Sequence, residues 1–172
     1  MDFDMDILKA AIDWTKAEML SSAFFILFGV LFVSASLGFW QLGKTDVARA
    51  YVIPALIAGS LLLVLGVGLF IQSKERVTGF ATAYNSDASE FVASEIERAD
   101  KGLGIYRIAV FRVMPLIIAV CAVLLLYLEA PVLRASLIVT IAMMSVLLVI
   151  DTNASARLEI YQEKLRTVAR AG

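Results

Sequence analysis

Apart from Arg134 at the start of the last apolar run, Arg112 and Asp151 are the ionisable residues nearest to the long apolar runs of this 172-residue chain, and their opposite charges suit a pair across two neighbouring helix ends. An ionisable side chain deep in a bilayer costs about 2.5–3.5 kcal/mol or more, and so usually marks a transport path or a catalytic centre. Both residues fall at run ends instead, which predicts an interfacial ion pair that sets helix register. The polar stretch Asp151-Thr152-Asn153-Ala154-Ser155 lies at the same depth and reads first as the water boundary of the last run. Glu95, Glu97 and Asp100 could in principle hold a divalent ion, although a solvated helix face explains them more simply. There is no histidine, and the single cysteine, Cys121, lies within an apolar run. That composition excludes an intrachain disulfide and removes the usual zinc, copper and haem ligand sets. No nucleophile elbow, phosphate-binding glycine loop or acid–base pair is present, so the chain reads as a non-enzyme without a cofactor.

The remaining polar signal consists of small residues. Ser34 and Gly38, Ala55 and Gly59, and Ser136 and Thr140 are each four apart, and Gly66 and Gly68 add two more glycines. Small side chains let helix backbones approach, and a hydroxyl bonded across helices contributes about 0.6–2 kcal/mol. These pairs are candidates for helix packing. A hydroxyl set of Ser60, Ser136, Thr140 and Ser145 could alternatively line a path along an oligomer axis.

The elements that must carry these residues follow from hydropathy. Leu20–Trp40, Val52–Ile71, Val113–Leu128 and Val132–Ile150 are apolar, Arg134 excepted, in a chain that is 60% hydrophobic. At about 1.5 Å per residue, roughly 20 residues cross a hydrocarbon core of about 30 Å. The expected fold is all-α: a polytopic membrane protein with four transmembrane helices as two antiparallel hairpins. The boundaries are residues 1–19 for an N-terminal interfacial helix, 20–71 for the first hairpin and 72–112 for a helical loop. Residues 113–150 form the second hairpin and 151–172 a C-terminal helix.

Charge sets the orientation. Lys9, Lys16, Lys74, Arg76, Arg98, Lys101, Arg107, Arg112, Arg157, Lys164, Arg166 and Arg170 would share one side, 12 of the 15 basic residues, against Lys44, Arg49 and Arg134 on the other. The positive-inside rule therefore predicts cytoplasmic termini in the inner membrane of a bacterium, with Trp40, Tyr51 and Tyr127 in the outer aromatic belt. The acidic segment before the first run, with Asp2, Asp4, Asp6, Asp13 and Glu18, is unlike the basic start of a signal peptide, so the first span is expected to be retained.

On the cytoplasmic side, residues 3–18 have amphipathic spacing and either lie in the interface or run straight into the first span. Asp87 and Glu90 suit a helix start, and Gly102 and Gly104 a stop after Lys101. Phe91, Val92 and Ile96 would be the buried face of that helix. Glu90, Glu95, Glu97, Arg98 and Lys101 would be its partner surface. Lys74–Tyr84 and Ala154–Arg170 should prolong the second and fourth spans, and Pro115 should kink the third around Phe111. With a net charge of −1 nothing draws the chain to nucleic acid. The expected partners are the lipid bilayer and either further copies of the chain or other subunits of a membrane complex. The reading is an oligomeric scaffold or accessory subunit, and the alternative a small oligomeric transporter or channel.

Overall fold

A computed structural model describes the backbone of residues 2–170 and the side chains of residues 7–170. The described residues are helical almost throughout. In chain order they form α1 (Asp2–Leu42), the short α2 (Asp46–Ala50), α3 (Val52–Ser86), α4 (Ala88–Ile108), a π-helical segment (Ala109–Val113), α5 (Met114–Tyr127) and α6 (Pro131–Ala169). Four rods result, each long and apolar enough to cross a membrane: α1, α2 with α3, α4 through α5, and α6.

These rods overshoot any bilayer. The 41 residues of α1 make a helix of about 60 Å, roughly twice the hydrocarbon thickness. The amphipathic segments at the two ends of the chain continue the spans: the first runs straight into α1, one of the two arrangements open from the sequence, and the last prolongs α6 as expected. The reason is local. No Gly or Pro occurs between residues 3 and 28 or between 132 and 170, so nothing stops either helix.

Between α3 and α4 a single extended residue, Asp87, reverses the chain. Its carboxylate accepts from the Glu90 amide at 2.9 Å, the N-cap expected from the sequence. That hydrogen bond holds the Asp87 carboxyl below its ordinary value of 3.8. The cap therefore contributes in full above that value and is lost as pH falls through the lower folded-state value. Asp87→Ala should raise hydrogen exchange at the Ser89, Glu90 and Phe91 amides and leave exchange in α6 unchanged. Equal protection in the variant would show that the cap does not hold this turn.

The predicted stop after Lys101 does not occur. α4 passes through Gly102 and Gly104 to Ile108, with no glycine at positive φ. Gly102 serves helix approach instead, because a Cβ there would stand 2.9 Å from Leu158 Cδ2. The distortion expected near Phe111 takes the form of the π segment. Pro115 has no N–H for the Phe111 carbonyl, and its ring would crowd that group in a regular α-turn.

α1 and α3 form the tightest pair, and their contacts run in opposite sequence directions. Ser36 donates to the Val52 carbonyl at 2.7 Å, Gly29 lies against Gly59, Ile26 against Gly66, and Glu18 pairs with Arg76 at 3.8 Å. The seam repeats every seven residues. Thr15, Ser22, Gly29 and Ser36 are buried on α1, facing buried Gly59, Gly66 and Ser73 on α3. A seven-residue repeat of small residues is what a close left-handed crossing requires.

Two cores stack along the rods. In the apolar half, Phe25, Leu62 and Ile150 form a small cluster, while large side chains such as Val64 and Leu126 remain exposed. Aqueous solvent would penalise that surface; lipid does not. In the polar half all four rods converge on a larger core containing Ile7, Trp14, Phe80, Phe91, Leu158 and Leu165. Phe91 meets Phe80 and Tyr84 edge-on, each at 5.6 Å.

Candidate functional site

The polar-half bundle encloses a charged network. Phe91, Val92, Glu95 and Ala99 share one stripe of α4, and burying the apolar members carries Glu95 inside, where it is 6% exposed. Arg98, one turn on, donates to Glu95 through Nε at 2.9 Å and through a second guanidinium nitrogen, a forked geometry. Tyr161 on α6 donates its hydroxyl to the same carboxylate at 2.8 Å. Trp14 on α1 completes the stack, with its ring 5.2 Å from that of Tyr161 and the Arg98 guanidinium 4.4 Å from its centre. Residues from two rods, α4 and α6, thus satisfy one buried carboxylate, and the cation over the α1 indole adds about 0.5–2 kcal/mol.

The electrostatics agree with this geometry. Burial works against the charge on Arg98, but the hydrogen bond and charge of Glu95 more than offset it, and its pKa rises. Burial, then the neighbouring Glu95, raises the pKa of Tyr161 well above its ordinary value of 10.0. Stability from the neutral phenol is complete below that value and is lost as pH climbs towards the folded-state one. The arrangement is a lock between helices. It has a bound acid, a bound base and a phenol, all of them mutually engaged.

Towards the apolar half the polar chain continues. Glu18 faces Arg76, and Arg157 donates to the Ser21 hydroxyl. Outside the bundle Asp100 accepts from Arg166 at 2.7 Å and from Gln162, tying α4 to α6 a second time.

The residues singled out from sequence are distributed as follows. Arg112 is exposed on the π segment, and Asp151 is half-buried in α6. Among the described residues no ion pair joins them, and the carboxylate nearest Asp151 in electrostatic terms is Glu18. Thr152 and Asn153 satisfy themselves on α6, donating to the Leu148 and Val149 carbonyls at 2.6 and 2.8 Å. Of the five surface candidates, Glu90, Glu97 and Lys101 are exposed, with Lys101 2.6 Å from Glu97. Glu95 and Arg98 instead point into the bundle, because they share the stripe of Phe91 and Ala99. Among the packing candidates, Ala55 and Gly59 are buried, Gly59 against Gly29 and Val33 of α1, whereas Ser34 is exposed and Gly38 has no atom near its missing Cβ. Ser136 and Thr140 line a groove of about 160 Å³ with Pro54, Ile57, Ala58 and Leu61 of α3.

Trp14, Glu18, Arg157 and Tyr161 were not among the sequence candidates. Continuity of period finds Glu18: it precedes Phe25 and Phe32 at a spacing of seven on α1, as Arg76 follows Ala55, Leu62 and Leu69 on α3, so the two apolar rows end in charges of opposite sign. Trp14, Arg157 and Tyr161 owe their places to contacts between rods. No protein-family model, curated protein or solved structure matches this chain.

Proposed function

We propose that this is a non-enzymatic integral membrane protein, an oligomeric scaffold or accessory subunit of a membrane complex. Its four rods would insert as two antiparallel hairpins in the inner membrane, with both termini and the polar-half bundle in the cytoplasm. The basic-residue asymmetry supports that orientation, and so does the exposure of Trp40 and Tyr127 at the opposite end. The observation that carries the reading is the bundle itself. All four rods continue beyond their apolar sections into a body with its own apolar core, locked by Glu95, Arg98 and Tyr161. A channel has no need of such a body, whereas a docking platform does.

The partner surface is the outer face of α4, where Glu90, Glu97 and Lys101 stand in solvent. An exposed pair such as Glu97–Lys101 contributes little to stability, so these charges are free to read a partner. Charge reversal at Glu90 and Glu97 to Lys should leave the unfolding midpoint unchanged. It should also reduce the native mass in mild detergent from a complex towards one 18.7 kDa chain. A wild-type chain that is monomeric in detergent and stays uncrosslinked in native membranes would overturn the proposal. The second reading, a small transporter or channel, draws support from the groove where Ser136 and Thr140 face α3.

A further inference from the structure

Where the bundle meets the apolar half, α1, α3, α4 and α6 enclose a cavity of about 50 Å³, lined by Glu18, Ser21, Ser22, Ser73, Tyr106 and Asp151 along with apolar neighbours. All six of these polar side chains offer oxygen, the donor atom preferred by hard cations. Ser73 is the telling one. It is 3% exposed and opens onto the cavity, and its hydroxyl makes no hydrogen bond with any described residue. The Tyr106 hydroxyl and the Asp151 carboxylate likewise take no hydrogen bond or ion pair among the described residues. Tyr106 and Asp151 are half-buried, whereas Ser73 is buried, and a buried polar group costs about 1–3 kcal/mol unless the space it opens onto holds a guest that partners it.

The lining specifies what that guest presents. Ser22 spends its proton on the Glu18 carbonyl at 3.0 Å and Ser21 on the Ala17 carbonyl at 3.5 Å, while Ser21 also accepts from Arg157, so both turn lone pairs rather than protons to their surroundings. Carboxylates add further acceptors. Charge limits the guest to one unit. Arg76 pairs with Glu18, and Arg157, held at the rim by the neutral Ser21 hydroxyl, keeps its charge. The two arginines offset the two lining carboxylates, so the site admits at most one further positive charge, beside Asp151, which has no cation in ion-pair range among the described residues. The volume accommodates an ion with one or a few waters. The geometry points to a binding site for one alkali-metal cation at the base of the bundle, anchored by Asp151 and completed by Ser73, Ser22 and Tyr106. Because the ligands come from four rods, occupancy would brace the junction between the two halves.

The test uses the full chain in detergent at fixed pH and ionic strength, with choline chloride replaced by NaCl or by KCl, and a parallel measurement of bound radioactive sodium. One of the two salts should raise the unfolding midpoint saturably, with about one ion bound per chain when that salt is sodium. Ser73→Ala and Tyr106→Phe should each raise the half-saturating concentration about tenfold, and Asp151→Asn should abolish the response. Should Asp151→Asn fail to fold, the other two variants carry the test. Indistinguishable midpoints in sodium, potassium and choline would overturn the site. Tighter binding of MgCl2 would refute the single-charge assignment. Stabilisation by protons alone, acting on Asp151 among Glu18, Arg76, Tyr106 and Arg157, would replace the metal ion with a titrating carboxyl.

Discussion

Glu95→Ala is expected to destabilise the folded chain by about 3 kcal/mol, the usual result of removing one partner from a buried ion pair. The loss has two parts. Arg98 keeps its charge beneath Trp14 with no carboxylate to neutralise it, and the Tyr161 hydroxyl loses its acceptor. A surface glutamate on the same helix, such as Glu90, has no comparable role. The informative comparison is the double variant Glu95→Met with Arg98→Leu. If the network stabilises through mutual satisfaction rather than through net attraction, exchanging both charges for apolar groups of similar volume should recover most of the loss. Denaturant unfolding in a Trp40→Phe background, followed by the fluorescence of Trp14, reads the site directly, since that indole stacks on Tyr161. A double variant as unstable as the single one would mean that the pair itself, not the orphaned charge, dominates.

That network also explains what could and could not be read from the chain. The four apolar spans were legible because a hydrocarbon solvent imposes one simple demand over about 20 residues. The start of α4 was legible too, because a cap is a local event of three residues. Its end was not. Gly102 suits a helix stop by propensity, yet Leu158, more than fifty residues away, needs the space its missing side chain leaves. Glu95 and Arg98 were assigned to the surface by the ordinary preference of charge for water. Their stripe with Phe91, Val92 and Ala99 pointed inward, but the partner that makes burial tolerable, Tyr161, arrives from α6. Long-range satisfaction of this kind leaves no mark in the local pattern.

The packing seam was misread for a different reason, which is a choice of period. Pairs four apart drew attention to Ser34 and Gly38. On a helix these lie about 140° and 180° around the axis from Gly29, so they face away from the α3 seam that Gly29 joins. The seven-residue spacing of Thr15, Ser22, Gly29 and Ser36 was present throughout, and it matches that of Gly59, Gly66 and Ser73.

The same seam sets the second large effect. A Cβ added at Gly59 would stand 2.8 Å from the Gly29 carbonyl oxygen and 2.8 Å from the Val33 nitrogen, both of them backbone. Neither atom can rotate aside, so relief requires the two helices to separate, opening the contact from Ile26 to Val33. Gly59→Ala is therefore expected to cost about 1–3 kcal/mol, the range for overpacking, and Gly59→Leu to disrupt the pair outright. Gly68 lies on the same helix with nothing within 4 Å of its missing Cβ. There, exchange to Ala meets no obstacle and gains helix propensity of up to about 1 kcal/mol. Two chemically identical substitutions nine residues apart should thus have opposite signs. Unfolding in mixed micelles, read by circular dichroism, distinguishes them. Equal effects at the two positions would contradict the close approach of α1 and α3, and with it the geometry that brings Glu18 to Arg76 and Ser22 to the cavity.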